Sequence, residues 1–192
     1  MNLSEQIKNC QNCPLYLDCY NPLSGFGNTK DCELLIIIDK PTKEDDLVNE
    51  LCYDRKGKYL KKILQNNECF KSDKIYITSA LKCTPYHPYS NKDVKKCSEW
   101  LKLEIDLLQP SYVICMGTTA IQFFRHIYGL PSQKISKLAM NIEIIKNMIV
   151  GYFYSTESLF GCGQKLTQNF NKLLLKFRKE YNNVRENMAI LG

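Results

Sequence analysis

Five consecutive apolar residues, Leu34-Leu35-Ile36-Ile37-Ile38, form the longest strictly aliphatic run in the chain. A short run that is continuously apolar rather than alternating, and β-branched toward its end, predicts a strand buried on both faces in a parallel sheet. Asp39-Lys40-Pro41-Thr42 ends it, because Pro41 has no amide hydrogen to donate and biases Lys40 away from helix. Lys74–Thr78 and Tyr112–Met116 read as further strands. Between them the apolar period changes. Tyr59, Leu60, Ile63 and Leu64 share one face of a helix from about Gly57 to Asn66, with lysines opposite, and Val94, Trp100, Leu101, Ile105 and Leu108 stripe a second helix from Asp93 to Leu108 that Gln109-Pro110 stops. Gly117-Thr118-Thr119-Ala120 turns the third strand into a helix carrying Ile121, Phe123, Phe124 and Ile127, with the glycine at the tightest point. Asn141–Tyr154 reads as a hairpin about Lys146-Asn147, and Leu166–Tyr181 as a last helix with Phe170, Leu173, Leu174 and Phe177 inward; Asn21–Asn28 and the stretch after Pro85 read as loops. Strands alternating with helices predict an α/β class: three layers, α/β/α, around a central mostly parallel sheet. With no repeat, low-complexity block or linker, residues 1–192 read as one domain.

Composition narrows the class. No apolar run approaches the ~20 residues a membrane helix needs, and the opening residues are polar, without a secretory signal, so the expectation is an intracellular protein with no membrane partner. A net charge of +6, with lysines bunched at 56, 58, 61 and 62, suits a polyanion, although a solvated lysine- and asparagine-rich surface explains it equally.

The ten cysteines are the most informative residues. In a reducing compartment they serve as ligands, nucleophiles or small core residues rather than disulfides. Cys10 and Cys13 lie two residues apart, and a looser pair, Cys83 and Cys97, lies far downstream, which predicts one four-thiolate site assembled across the fold. Spacing leaves zinc and an iron-sulfur cluster both open, since each takes four thiolates. Cys32, Cys69, Cys115 and Cys162 stand singly and read as structural. Cys19, six residues after Cys13, stays unassigned.

The order of these motifs resembles the uracil-DNA glycosylase superfamily, most nearly its iron-sulfur family 4 type. Cys10-Gln11-Asn12-Cys13-Pro14-Leu15 is similar to that family's opening cysteine pair, and Gly25-Phe26-Gly27-Asn28 to the phrase before its first core strand. Ile75–Cys83 is similar to the strand that ends in its third cluster ligand, and Gln109–Ala120 to its next strand and turn. The resemblance implies a glycosylase-like fold, a [4Fe-4S] cluster on Cys10, Cys13, Cys83 and Cys97 with zinc as the rival, and DNA as partner. The cluster would tie the N-terminal segment to the core.

The resemblance also implies a pocket that stacks a flipped base, reads its edge, orients a water and stabilises the departing anion, and here each of those positions is altered. Ile38-Asp39-Lys40-Pro41-Thr42 replaces a Gly-Glu-Ala-Pro-Gly phrase, so that Asp39 stands for the water-orienting glutamate, one methylene shorter. The stacking aromatic falls at Cys52, or at Tyr53 with a slip of one. Ser79 replaces the asparagine that reads the base edge, and Tyr154 and Ser155 occupy the place of a His-Pro phrase. His87 and His126 are the chain's histidines and lie elsewhere. Lys40, Arg55, Lys56 and Lys58 flank the pocket loops as expected phosphate contacts. Two functions follow: an iron-sulfur DNA-binding protein with weak or lost uracil excision, accessory to a replication or repair protein, or an active glycosylase on uracil or another altered base in which Asp39 orients the water. A generic zinc-binding α/β protein is the third.

Overall fold

The buried runs line up side by side. The structure, a computed structural model, describes residues 2–190. The chain runs through α1 (Leu3–Lys8), a 3-10 turn (Pro14–Leu17), β1 (Phe26–Gly27), β2 (Leu34–Ile38), α2 (Lys43–Val48), α3 (Arg55–Gln65), β3 (Ile75–Ser79) and α4 (Asn91–Leu108). It continues through β4 (Tyr112–Met116), α5 (Thr118–Ile127), α6 (Ile135–Leu138), β5 (Ile142–Ile145), β6 (Met148–Phe153), α7 (Thr156–Gly161) and α8 (Gly163–Ile190). The sheet order is β1-β3-β2-β4-β6-β5, with β3, β2, β4 and β6 mutually parallel and the two outermost strands antiparallel. Ile38 pairs with Ser79 and Met116, and Met116 with Phe153, so the four parallel strands end level with one another. The loops that follow them therefore gather at one end of the sheet. That end includes the switch point beside β2, where the chain, having placed β3 on one side, crosses to place β4 on the other, the usual address of a ligand site in such sheets.

Burial on both faces explains the continuous apolarity of the strands. Leu35 and Ile37 point into one core with Val113, Cys115, Val150 and Tyr152, covered by Leu101 and Ile105 of α4 and by Phe123 and Phe124 of α5. Leu34, Ile36 and Ile38 point into the other, covered by Leu60 and Leu64 of α3 and by Phe170, Leu173 and Phe177 of α8. Three layers with a largely parallel sheet are thus observed, as the alternation of periods predicts. Among the described residues no helix is long and apolar enough to cross a membrane.

Helix boundaries depart from expectation where capping decides them. The acidic stretch after Pro41 is helix α2, because Thr42 and Asp45 form a reciprocal capping box: the Thr42 hydroxyl accepts from the Asp45 amide and the Asp45 carboxylate from the Thr42 amide. Asp54 accepts from the Gly57 amide at 2.7 Å and starts α3 at Arg55 rather than Gly57, and Ser90 with Asp93 starts α4 at Asn91. The last helix begins at Gly163 and runs to Ile190, longer than the expected 166–181 and preceded by the separate α7. Phe26–Gly27, inside an expected loop, pairs antiparallel with β3 as the sheet's outermost strand. The hairpin turns at Lys146-Asn147 as expected.

Phe177 is fully buried, stacked on Tyr112 with centroids 5.6 Å apart and pressed against Gly151, where a Cβ would lie 2.6 Å from its ring. Phe177→Ala is expected to cost about 3–5 kcal/mol of unfolding free energy in urea titration, while truncation of Leu175, which is 54% exposed, leaves stability within about 0.5 kcal/mol.

Candidate functional site

At the carboxyl end of β2 a cleft of about 230 Å³ opens between the loops that follow the parallel strands. Its wall comes from Ile38 to Lys43, from Asp45, Cys52, Asp54 and Gly57 around the start of α3, from Thr84 and Pro85 after β3, and from Thr156 and Glu157 after β6. Hydrogen bonds hold these loops together: Asp45 accepts from the Tyr53 amide at 2.7 Å and the Asp54 amide at 3.2 Å, and the Thr84 hydroxyl donates to the Thr42 carbonyl at 3.1 Å.

Asp39 is the best-defined reactive group in it. Its Oδ1 accepts from the Ala120 amide at 2.9 Å, in the first turn of α5, where unpaired amides and the helix dipole favour an anion. Gly117 makes that approach feasible: it sits at φ +97°, and a Cβ there would lie 2.0 Å from the Asp39 carboxylate. Burial nevertheless dominates and pushes the Asp39 carboxyl up to about 6, with the Ala120 and Thr119 amides opposing the rise.

The other expected pocket residues are distributed unevenly. Cys52 lines the cleft, buried, with φ 61°; Gly57 lies so close that a Cβ would meet the Cys52 backbone at 2.3 Å. Tyr53, 36% exposed, is not among the lining residues, and its ring lies beneath the Lys58 ammonium at 3.8 Å. Ser79 is fully buried at the end of β3 and does not line the cleft either; its hydroxyl has no hydrogen-bond partner among the described residues. Tyr154 packs edge-on against Phe153, and the Ser155 hydroxyl caps α7 through the Ser158 amide. It is the next two residues, Thr156 and Glu157, that reach the cleft, one step further along than alignment with a His-Pro phrase suggests. His87 and His126 are exposed and lie outside the lining.

The four basic residues expected on DNA are not equivalent. Lys40 is exposed on the cleft rim, Arg55 is exposed with its guanidinium 5.9 Å from the Phe160 ring centroid, and Lys58 is exposed over Tyr53. Lys56 is already engaged, 3.0 Å from Glu157 and 3.5 Å from Asp54. Lys43, which the sequence pattern did not single out, lines the cleft and lies over the Tyr86 ring at 4.8 Å. With Asp39, Asp45, Asp54 and Glu157 in the wall against Lys40 and Lys43, the interior suits a neutral group and the rim an anion.

Of the four cysteines expected to share a site, three are buried in one core. Cys10 follows α1, Cys13 opens the 3-10 turn, Cys83 follows β3 and Cys97 lies in the second turn of α4. Cys13, Cys83 and Cys97 are buried within one core cluster, and burial raises the thiol of each. The Trp100 indole N–H donates to the Cys10 sulfur at 3.0 Å and the Lys82 amide to the Cys97 sulfur at 3.3 Å. Burial pushes the Cys97 thiol up to about 12. Among the described residues no three His, Cys, Asp or Glu side chains are drawn closely enough together to hold a single ion. The residue types and their setting, sulfur donors beside an apolar core with N–H groups on the Cys10 and Cys97 sulfurs, are those a thiolate-bound metal centre would use. Cys19, unassigned by its spacing, is partly buried and packs against the same core cluster. Of the cysteines read as structural, Cys32 and Cys115 are buried, Cys69 is half-buried and Cys162 is exposed.

Residues 24–178 match the profile of the uracil DNA glycosylase superfamily. The chain is similar to the type-4 uracil-DNA glycosylase of Archaeoglobus fulgidus, 29% identical over 142 residues covering 71% of this chain and 69% of that protein. It is similar to that of Thermotoga maritima, 28% identical over 124 residues covering 64% of each, and to that of Saccharolobus solfataricus, 23% identical over 183 residues covering 89% of this chain and 83% of that one. The matched segment thus spans about two thirds of the first two relatives.

The raised Asp39 carboxyl has a stability consequence with a definite sign. A folded-state value of about 6 against an ordinary 3.8 means that the folded form binds its proton more tightly than the unfolded chain. Its stabilising share is therefore present below about pH 4 and is lost as pH rises to about 6, a change on the order of 3 kcal/mol at most. Asp39→Asn removes this dependence, so the variant should gain on the parent between pH 4 and 6 and hold a constant difference above pH 7 in urea titrations. A difference that does not vary with pH contradicts the buried carboxyl.

Proposed function

Because this chain belongs to the uracil DNA glycosylase superfamily, we propose that it is an iron-sulfur DNA-binding protein of glycosylase fold, with weak or lost uracil excision and an accessory role in DNA replication or repair. The observation that carries the reading is the composition of the cleft. It keeps a carboxylate, Asp39, at the end of β2, but at the places expected to stack, read and stabilise the base the wall carries Cys52, Thr84, Pro85, Thr156 and Glu157. None of the lining side chains offers an aromatic face to a base or an amide's paired donor and acceptor, and the cleft's cations, Lys40 and Lys43, stand exposed among four carboxylates rather than as a histidine after β6. Loss of one preorganised donor to a developing anion costs about 3 kcal/mol, about a hundredfold in rate, and several such losses compound. The rim lysines and Arg55 retain the sequence-independent attraction to phosphate.

A second reading, an active glycosylase on uracil or another altered base, rests on Asp39 itself. A carboxyl raised to about 6 beside a helix N-terminus is poised to take a proton from water near neutral pH. In that reading Asp39 orients the water that attacks the sugar carbon as the N-glycosidic bond breaks.

The same proposal assigns Cys10, Cys13, Cys83 and Cys97 to a [4Fe-4S] cluster, with zinc as the rival occupant. Bound there, a cluster supplies a cross-link, joining the N-terminal segment to α4 and to the loop after β3 so that residues 1–192 act as one domain; hydrolysis of an N-glycosidic bond needs no electron transfer.

An excision assay on single- and double-stranded DNA carrying uracil or hypoxanthine separates the two functions. Base release near background is expected; robust release that is abolished in Asp39→Ala and rises with pH through about 6 establishes the second reading instead. Binding to undamaged DNA should weaken with salt, and alanine at Lys40, Arg55 or Lys58 should each flatten the log–log slope by about one unit, whereas alanine at Lys56, already paired, changes it little. Purified protein should be brown and hold about four irons per chain; stoichiometric zinc without iron assigns the site to zinc. Cys97→Ser should lower the melting temperature and Cys162→Ser should not.

A further inference from the structure

Three of the segments that wall the cleft also set a cation over an aromatic ring outside it. Lys43, in the wall itself, lies over the Tyr86 ring at 4.8 Å, and Tyr86 directly follows the lining residue Pro85. Lys58 lies 3.8 Å from the ring centroid of Tyr53, which falls between the lining residues Cys52 and Asp54. The Arg55 guanidinium lies 5.9 Å from the ring centroid of Phe160, one turn of α7 beyond Glu157. Tyr53 and Phe160 are 36% and 39% exposed and Tyr86 is half-buried, so each ring keeps surface open to solvent. Among the described residues Lys43, Arg55 and Lys58 form no ion pair. Other cations over rings are committed elsewhere: Lys61, Arg125 and Arg178 are tied to Glu50, Glu143 and Glu33. Lys146, over Tyr128, sits at the hairpin turn before β6, at the opposite end of the sheet.

An open ring face takes an unpaired base by stacking, and a cation on a flexible stem can leave the ring for a phosphate. In a duplex the base faces are already covered by their neighbours. We propose that Tyr53, Tyr86 and Phe160, with Lys43, Arg55 and Lys58, form a rim that binds single-stranded DNA by stacking on unpaired bases around the mouth of the cleft. This rests on the DNA-binding reading above and deepens it by naming the strand state: the wall has no aromatic side chain, and the rings stand on the rim instead. The rim is also held in register, since the Tyr53 amide donates to Asp45 at 2.7 Å and the Thr84 hydroxyl to the Thr42 carbonyl at 3.1 Å, which fixes the approaches to Tyr53 and Tyr86 against α2.

Fluorescence anisotropy with a labelled oligonucleotide, offered single-stranded and as duplex at one salt concentration, tests it. The single strand should bind about tenfold more tightly than the duplex, or better. Leucine at Tyr53, Tyr86 or Phe160 should each weaken single-strand binding about fivefold or more. Duplex binding and the salt slope should stay unchanged in these variants, because no charge is lost. Tyr86→Phe, which keeps the ring, should bind as the parent does. Lys43→Ala should instead flatten the slope by about one unit. An abasic single strand of equal length and charge keeps the phosphates without the bases and probes the unaltered protein, so it decides the matter even if a variant fails to fold; it should bind no better than duplex. An abasic strand bound as tightly as the intact one, or leucine variants that bind the single strand like the parent, overturns the stacking rim. Absence of binding to either form at low salt sinks the DNA-binding reading itself, a result distinct from equal affinity for duplex and single strand, which overturns this inference alone.

Discussion

A fully buried ion pair, Lys82 with Glu104, is the node through which the sheet, α4 and the N-terminal segment are held together. The Lys82 ammonium lies 2.5 Å from the Glu104 carboxylate and also donates to the Thr78 hydroxyl and the Ser79 carbonyl. Glu104 in turn accepts from the Thr78 hydroxyl and from the Gly25 amide. The Lys82 backbone holds the rest: its amide donates to the Cys97 sulfur and its carbonyl receives the Leu23 amide. Desolvating two charges is costly, and such pairs add little net stability over apolar residues, but removing one partner costs about 3–5 kcal/mol. Its contribution here is positional. It fixes the loop after β3 against α4, and thereby places Cys83 near Cys97 and brings the segment carrying Cys13 and Cys19 to both.

The cleft lies at the other end of the same loop. Thr84 and Pro85 form part of its wall one and two residues after Cys83, so Cys83 and the cleft share a single stretch of backbone. Asp39 is held from the opposite side by the start of α5, an arrangement that depends on Gly117 leaving room for the carboxylate. Two competing effects act on that group: burial disfavours its charge, amide hydrogen bonds favour it, and burial prevails.

The layer architecture was legible in the sequence because it depends on local periodicity. Leu34–Ile38 and Tyr112–Met116 could be assigned as strands buried on both faces from continuous apolarity alone, since a strand covered by helices on each side exposes no face that water would select to be polar. The capping signals at Thr42-x-x-Asp45 and Ser90-x-x-Asp93 were equally local and would have located α2 and the start of α4. The spacing of Cys10 and Cys13 and the looser pair downstream pointed to a shared site for a similar reason: the residue types carry the chemistry.

What depends on through-space placement was not legible. Nothing in the spacing of Cys19 says where its segment docks, because that follows from the hydrogen bonds of Tyr20, Asn21 and Leu23 to partners up to 59 positions away in the chain. Lys56 reads as a free cation until Glu157, about a hundred residues on, is seen beside it. Ser79 reads as a pocket residue until the register of β2 with β3 buries it, and Thr156 and Glu157 read as ordinary cap residues until the level ends of four parallel strands bring their loop to the cleft. Sequence alone determined the element types, the layered class and the family resemblance, since these rest on patterns spanning a few turns or strands. Which side chains face one another, and which charges are already neutralised, only the tertiary structure decided, because those are properties of distance in space rather than of position along the chain.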